Sequence, residues 1–323
     1  EDLQRTLHER IGRPSVVDDA ARLTSGFPRS RLSYRIAMPR EVKGGRYALV
    51  TGGSSGIGLA TARGLKPHFD AVGIVGRNAQ RLAEAADGLR DGEGSIATFQ
   101  ADFSSLADVR RLADEVKDRF DSLRVLVNNA GIWHRERHVS EDGYEETFAV
   151  NHLAHFLLTN ELKELLVLGA PSRVINVSSS MHVRPKSLNW DDLMFESEFR
   201  GFRVYGHSKL ANVLFSNELA RRWKELGVAS NALNPGNVRS RITRNNVLLN
   251  ALHRSPFARL VIMTEADGAR ASIRAALDPA LEGVTGRYFD KLQEMRPSKP
   301  ARDPEAARRL WEVSESLVHA AIG

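Results

Sequence analysis

The segment Tyr47-Ala48-Leu49-Val50, running directly into Thr51-Gly52-Gly53-Ser54-Ser55-Gly56-Ile57-Gly58, constrains this chain more than any other stretch. Four apolar residues in a row read as a short buried strand, and the apolar positions from Ile57 to about Leu65 read as a helix. Glycines between the two let backbone N–H groups come close to an anion, and the helix N-terminus adds the positive end of its dipole. Strand, glycine turn and helix together make a cradle for a pyrophosphate. The spacing is T-G-x-x-x-G-x-G rather than the commoner G-x-G-x-x-G, and the flanking strand and helix supply the confirming context.

The text continues as alternating strand and helix. Strands are expected at Ala71–Val75, Ser95–Gln100, Arg124–Val127, Arg173–Val177 and Val228–Leu233. Helices are expected from about Ser105 to Phe120, Glu141 to Leu168, across Tyr205 to about Leu226, and Thr264 to Leu277 with Thr264 as cap. This pattern predicts an α/β fold with a doubly wound, Rossmann-type parallel sheet. It forms a single domain over residues 46–323, preceded by an N-terminal extension, residues 1–45, that carries no recognisable chemistry. Within the extension, Asp2–Ile11 and Ser15–Leu23 read as short helices before Gly26, Pro28 and Pro39 break the pattern.

The ends of the strands carry the chemistry. An NAD-binding fold places an acid after the second strand to hold the ribose 2′-hydroxyl. Here Gly76 stands there and Arg77 follows, a guanidinium suited to a 2′-phosphate that a carboxylate would repel. NADP(H) is therefore expected over NAD(H). Asp102, after the third strand, is placed to accept from an adenine amino group. Asn128-Asn129-Ala130-Gly131 closes the fourth strand with small residues, which lets a flat ligand lie against the strand ends. Asn151 interrupts the apolar run Phe148–Leu158, where a mediocre helix former is out of place. The fifth strand delivers Ser178-Ser179-Ser180 to the same crevice.

Tyr205 and Lys209 stand four residues apart on an expected helix, so they share a face. An ammonium beside a phenol stabilises phenolate and lowers a tyrosine pKa that is ~10 when unperturbed. That makes an acid and base usable near neutral pH.

Composition excludes several classes. The 42% apolar and 27% charged content suits a soluble globular chain. Absence of cysteine removes disulfides and thiolate metal sites. No run approaches the ~18 apolar residues of a membrane span, and a cytoplasmic location is expected. The net charge of +6 includes a surplus of four in residues 1–46, with ten Lys/Arg against six Asp/Glu. Neither aromatic interleaving nor a nucleic-acid motif accompanies it, so these are read as solvated cations. His134, His138, His182 and His207 are not expected to form a metal constellation.

Six motifs now stand in register: T-G-x-x-x-G-I-G at 51–58, N-N-A-G at 128–131, Asn151, N-V-S-S at 176–179, Y-x-x-x-K at 205–209 and P-G at 235–236. In order and spacing they resemble the short-chain dehydrogenase/reductase family over about residues 46–318. Asn189-Trp190-Asp191-Asp192, Gly286-Arg287-Tyr288-Phe289 and Arg309-Leu310-Trp311 are similar to its retinol dehydrogenase-like branch. The resemblance implies hydride transfer between a nicotinamide and a carbonyl or alcohol. It implies that Tyr205 protonates the carbonyl oxygen and that Ser179 hydrogen-bonds it. Lys209 would hold the nicotinamide ribose, and Asn151 a water leading from Lys209 to solvent. Cofactor contacts would come from Thr51, Gly52, Ser54, Ser55, Gly56, Ile57 and Gly58 in the turn, then Arg77, Asn78, Asp102, Phe103, Asn129, Ala130 and Gly131. Tyr205, Lys209, Pro235, Gly236, Val238 and Ser240 complete the set. Two departures stand out: Ser55 where many NADP-dependent members carry a basic residue, and Ser240 where a threonine is common.

Substrate loops are expected at about 181–203 and 237–263. In the second, Val247-Leu248-Leu249 and Phe257–Met263 offer an apolar wall suited to a medium-to-large, partly apolar substrate. Retinoid-acting members of the branch often carry an N-terminal membrane segment, which the polar extension is not. C=C reduction or a redox-linked rearrangement on the same site is an alternative. A non-catalytic nucleotide-bound scaffold or sensor is another, opposed by the intact set Asn151, Ser179, Tyr205 and Lys209. The two long helices match those through which many family members form homodimers; the extension is the alternative cover for that surface.

Overall fold

A computed structural model describes residues 45–236, 238 and 263–323. The extension and most of the second substrate loop, with Ser240, lie outside these residues. The chain alternates β1 (Tyr47–Thr51), α1 (Gly56–Leu65), β2 (Ala71–Gly76), α2 (Ala79–Asp87), β3 (Ser95–Gln100), α3 (Leu106–Arg119) and β4 (Val125–Asn128). After a loop come α4 (Glu146–Phe148), a π-turn (Ala149–Leu153), α5 (Ala154–Glu161), α6 (Lys163–Leu168) and β5 (Ser172–Val177). The remainder is α7 (Gly201–Trp223), β6 (Val228–Asn234), α8 (Glu265–Leu277), β7 (Tyr288–Asp290), β8 (Gln293–Met295) and α9 (Pro304–Ile322).

The eight strands form one sheet in the order β3-β2-β1-β4-β5-β6-β7-β8. All pairings are parallel except β7 with β8. Alternation along each strand splits the core into two layers. Leu49 and Leu126 face the layer built on α3, α5, α7 and α9. Ala48, Val50, Val125 and Val127 face the other, which includes α1 and α8 residues such as Leu65 and Ala275. The doubly wound sheet is thus as expected. Strand order reverses between β1 and β4, and the crevice at such a switch point is where open α/β sheets bind ligands.

Three features depart from the sequence reading. The helix expected from Glu141 begins at Glu146, because Asp142 and Gly143 make a turn with Gly143 at φ +86°. That helix is also broken by the π-turn around Asn151, where the Ala154 N–H reaches back to the Ala149 carbonyl. The third is α9. Trp311 packs edge-on to Phe156 of α5 and stacks on Phe215 of α7, with ring centroids 5.0 and 5.8 Å away. Ser314 Oγ lies 2.8 Å from His152 Nε2. The chain's own C-terminal helix thus packs against α5 and α7, the helices through which pairing between two chains was expected.

Candidate active site

The cradle is built by β1, its turn and α1. Gly52 and Gly56 adopt φ +66° and +60°, a region closed to most side chains. A Cβ at Gly58 would fall 2.3 Å from the Gly52 carbonyl oxygen, so only glycine lets helix and turn meet there. In front of Gly56 a Cβ would meet nothing nearer than Glu265 Oε1 at 3.8 Å. Ser55 caps α1 without a side-chain hydrogen bond, and the first turn carries no acid. Among the described residues nothing crowds the start of α1, which fits a pyrophosphate.

Thr51 and Asn129 stabilise the cradle from beneath. Thr51 Oγ1 accepts from the backbone N–H groups of Asn129 and Ala130 at 2.8 and 2.9 Å, and the Asn129 amide donates to the Thr51 carbonyl at 2.8 Å. Thr51 is fully buried, so its hydroxyl shapes the turn rather than facing the cleft. Phe103 likewise packs its ring inward, 5.3 Å from His155. Asn78 caps α2 by accepting from Arg81 N at 2.9 Å. Asp102 Oδ1 accepts from Ser104 N and Oγ at 3.0 and 2.9 Å. These bonds orient Asn78 and Asp102 and leave Asp102 Oδ2 for an adenine amino group.

At the end of β2 a Cβ on Gly76 would come within 2.9 Å of Ser54 Oγ. A larger residue there would have to displace the Ser54 hydroxyl. Arg77 is exposed, and its carbonyl accepts from Gln100 Nε2 at 3.2 Å. On the far side, Gly236 has φ +93°, and Val238 forms a bridge with Met263. A Cβ on Gly268 of α8 would meet both Val238 and Ile57, at 2.4 and 3.3 Å. Those two side chains thus close one side of the cradle against α8.

Four polar side chains converge beyond the cradle. Ser179 follows β5, accepts from Met181 N at 3.2 Å and lies close enough to the Tyr205 phenol to influence its acidity. Ser178 is turned away, its hydroxyl donating to the Lys209 carbonyl at 2.8 Å, and Ser180 opens an exposed 3-10 turn. Lys209 Nζ donates to the Val177 carbonyl at 3.1 Å and lies 5.5 Å from the Tyr205 ring centroid. Asn151, fully buried, locks onto Ile132 in both directions, accepting from its N–H at 2.8 Å and donating to its carbonyl at 3.0 Å. A Cβ on Gly131 would meet Asn151 Oδ1 at 3.3 Å and Lys209 Nζ at 3.4 Å.

The lowered phenol pKa expected from the Y-x-x-x-K spacing is not what the chain alone produces. Burial pushes Tyr205 up to about 12, with the Ser179 hydrogen bond pulling the other way. Burial also brings Lys209 down to about 8. Desolvation penalises both charged forms, and at 5.5 Å over the ring face the ammonium does not offset it.

Three residues escaped the sequence reading. His155, fully desolvated, touches Thr51 Oγ1 through Nε2 at 2.9 Å and the Asn151 carbonyl through Nδ1 at 3.1 Å. Ser208 accepts from Asn151 Nδ2 at 3.0 Å and donates to the Tyr205 carbonyl at 2.9 Å. Asn212 shares the Val177 carbonyl with Lys209 at 3.2 Å. The sequence signal was available for His155, a polar residue four positions after Asn151 in an apolar run. His182 proves structural: its Nδ1 meets the Ser179 carbonyl at 2.8 Å and its Nε2 accepts from Ser298 N at 3.3 Å.

Residues 46–248 match the family model described as short chain dehydrogenase. The chain belongs to the short-chain dehydrogenase family. Mouse Retinol dehydrogenase 14 is 39% identical over 290 residues, which cover 85% of this chain and 86% of that protein. Among solved structures, an uncharacterized protein from Mycobacterium paratuberculosis is 31% identical with a TM-score of 0.68, covering 86% of this chain and 94% of its own. RhlG from Pseudomonas aeruginosa, in its active-site complex with NADP, is 29% identical with a TM-score of 0.62, covering 76% and 94%. This short-chain dehydrogenase is thereby an oxidoreductase of a family that uses a nicotinamide cofactor, acting on a small molecule.

Proposed function

We propose that this short-chain dehydrogenase is NADP(H)-dependent and interconverts a carbonyl and an alcohol on a medium-to-large, partly apolar substrate. The observation that carries the reading is the convergence of Ser179, Tyr205, Lys209 and Asn151 at one end of β4 and β5, next to a glycine cradle that fits a pyrophosphate. Arg77, with a glycine rather than an acid before it, supports a 2′-phosphate over a free 2′-hydroxyl. The NADP in RhlG points the same way. The retinol of the mouse relative's name places an apolar alcohol among the first substrates to try. No helix among the described residues is long and apolar enough to cross a membrane, and a cytoplasmic site of action is proposed with the rest.

When bound, the nicotinamide supplies or accepts the hydride. In reduction, Tyr205 gives its phenolic proton to the substrate oxygen, and Ser179, next to that phenol, holds the oxygen beside it. Lys209 restores the proton through its ammonium. With its pKa brought down to about 8, it gives up a proton more readily than an exposed lysine. Asn151 fixes the Ile132 backbone beside Lys209 and leaves its own carbonyl to His155. Oxidation runs the same transfers backwards.

The test is Tyr205→Phe. Reduction of aldehydes and ketones by NADPH should fall by at least about 10²-fold, the usual share of one positioned acid. NADPH affinity should stay close to wild type, because the ring keeps its place. Turnover unchanged by the substitution would remove the phenol from the reaction.

A further inference from the structure

The loop between β4 and α4 carries a side-chain cluster that the dehydrogenase reading does not use. The His134 and His138 ring centroids lie 4.3 Å apart, and His134 Nε2 is 2.9 Å from Glu146 Oε2. One ligating atom from each of the three residues falls within 4.8 Å of the other two. We propose that His134, His138 and Glu146 form a binding site for a divalent transition cation of the Zn2+ class, at the rim of the reaction cleft. This departs from the sequence reading of the histidines, because the third ligand, Glu146, is brought to them only by the fold of the loop.

Two observations carry the proposal beyond proximity. First, the His134–Glu146 contact is not a satisfied pair. His134 Nε2 is buried and has no hydrogen bond of acceptable geometry despite the short approach. A desolvated nitrogen left this way asks for a partner, and a metal ion bridging it to the carboxylate satisfies both.

Second, backbone bonds hold the ligands together without any ion. Val139 and Glu145 form an antiparallel bridge, and Glu146 N donates to the His138 carbonyl at 3.0 Å. The fully buried Glu145 carboxylate accepts from Thr147 and Phe148 N at 2.9 and 2.7 Å, fixing Glu146 in the first turn of α4. On the other side, Asn151 clamps Ile132, and a Cβ at Gly201 would stand 2.1 Å from the His134 carbonyl oxygen. The start of α7 therefore presses directly on the loop. Exposed His138 is the arm with room to swing, and metal bonds of about 2.0–2.2 Å draw it inward.

Two imidazoles and one carboxylate suit Zn2+ and its first-row neighbours better than Mg2+ or Ca2+, which take oxygen ligands. Three protein ligands leave at least one coordination position for water or another donor. When filled, the site staples the segment following Asn129-Ala130-Gly131 to the first turn of α4, three residues before the π-turn that carries Asn151.

Calorimetric titration of tag-free protein with Zn2+, in the absence of cofactor, tests this independently of any enzyme activity. One saturable equivalent is expected, and Co2+ at the same site should show visible ligand-field absorption. His138→Ala and Glu146→Gln should each weaken Zn2+ binding by at least about tenfold. His138 is exposed, so its removal leaves the fold intact, as a circular dichroism melt verifies. Absence of saturable binding in the wild type, or wild-type binding in both variants, would overturn the proposal.

Discussion

Replacing Arg77 with alanine separates the two nicotinamide cofactors more directly than any other single change. The guanidinium is exposed at the end of β2, directly after Gly76, where no carboxylate stands to repel a 2′-phosphate. A charge-assisted hydrogen bond to phosphate contributes ~1.5–3 kcal/mol. Exposure to solvent and salt places Arg77 at the low end, ~1.5 kcal/mol, because screening weakens surface charges. That corresponds to roughly a tenfold rise in the NADPH dissociation constant. NADH has no 2′-phosphate, so its affinity should move by no more than about twofold, the scale of a neutral surface change. The assay is a fluorescence titration of wild type and Arg77→Ala with both reduced cofactors at two ionic strengths. The wild-type preference for NADPH should shrink as salt shortens the Debye length from ~10 Å at 0.1 M to ~3 Å at 1 M. An equal loss for NADPH and NADH would place Arg77 away from the phosphate and refute the assignment.

Acid should unfold this protein in a defined window. Burial holds the His152 and His155 imidazoles to about 3 in the folded chain, against ~6.5 when unfolded. The unfolded chain therefore binds more protons between those values. Stability is full above the unfolded value and is lost as pH falls through the window. His152→Gln should flatten that loss by about 1.4 kcal/mol per pH unit, read from urea unfolding across the acid range. An unaltered slope would mean His152 titrates normally. Trp311→Ala removes an indole that is 5% exposed and packed on Phe156 and Phe215. It should cost ~3–5 kcal/mol of stability and uncover the faces of α5 and α7. Sedimentation should then show self-association absent from the wild type, and a wild type already dimeric through those faces would contradict the packing.

The motifs that carried chemistry were legible because each demands a residue type that geometry cannot replace. Gly58 must be glycine for helix and turn to meet. Tyr205 and Lys209 were legible as a helical pair, and Ser179 was distinguishable from Ser178 only through register with N-V-S-S. Elements stabilised from elsewhere were not legible. β7 and β8 have three residues each, too short for a period, and exist because β6 offers an edge. Helix α9 has an ordinary amphipathic text, and nothing in it says that Trp311 will rest on α5 and α7 rather than in a partner. The start of α4 was not legible because it depends on Glu145, a buried residue that caps the helix by accepting from the Thr147 and Phe148 N–H groups. The phenol pKa was misjudged because spacing reports the neighbour and omits the desolvation.

The π-turn explains why an asparagine sits where the sequence made it look misplaced. A regular helix through 149–153 would carry the Asn151 side chain on a fixed heptad-like path along the core face. The wider turn, closed from Ala154 N to the Ala149 carbonyl, sets the carboxamide against Ile132 and Ser208 at once. Such insertions are found most often at functional sites. The Asn151 carbonyl is taken by His155 Nδ1, and the opposite ring nitrogen reaches Thr51, whose oxygen also orders Asn129 and Ala130. One neutral imidazole thus ties the glycine cradle on β1, the small-residue end of β4 and the asparagine beside Lys209 into a single hydrogen-bonded unit. A protonated ring would have to donate from both nitrogens, leaving Thr51 to place its own proton on the Val127 carbonyl instead. Burial, which lowers the His155 pKa, keeps the ring neutral in this bonded unit.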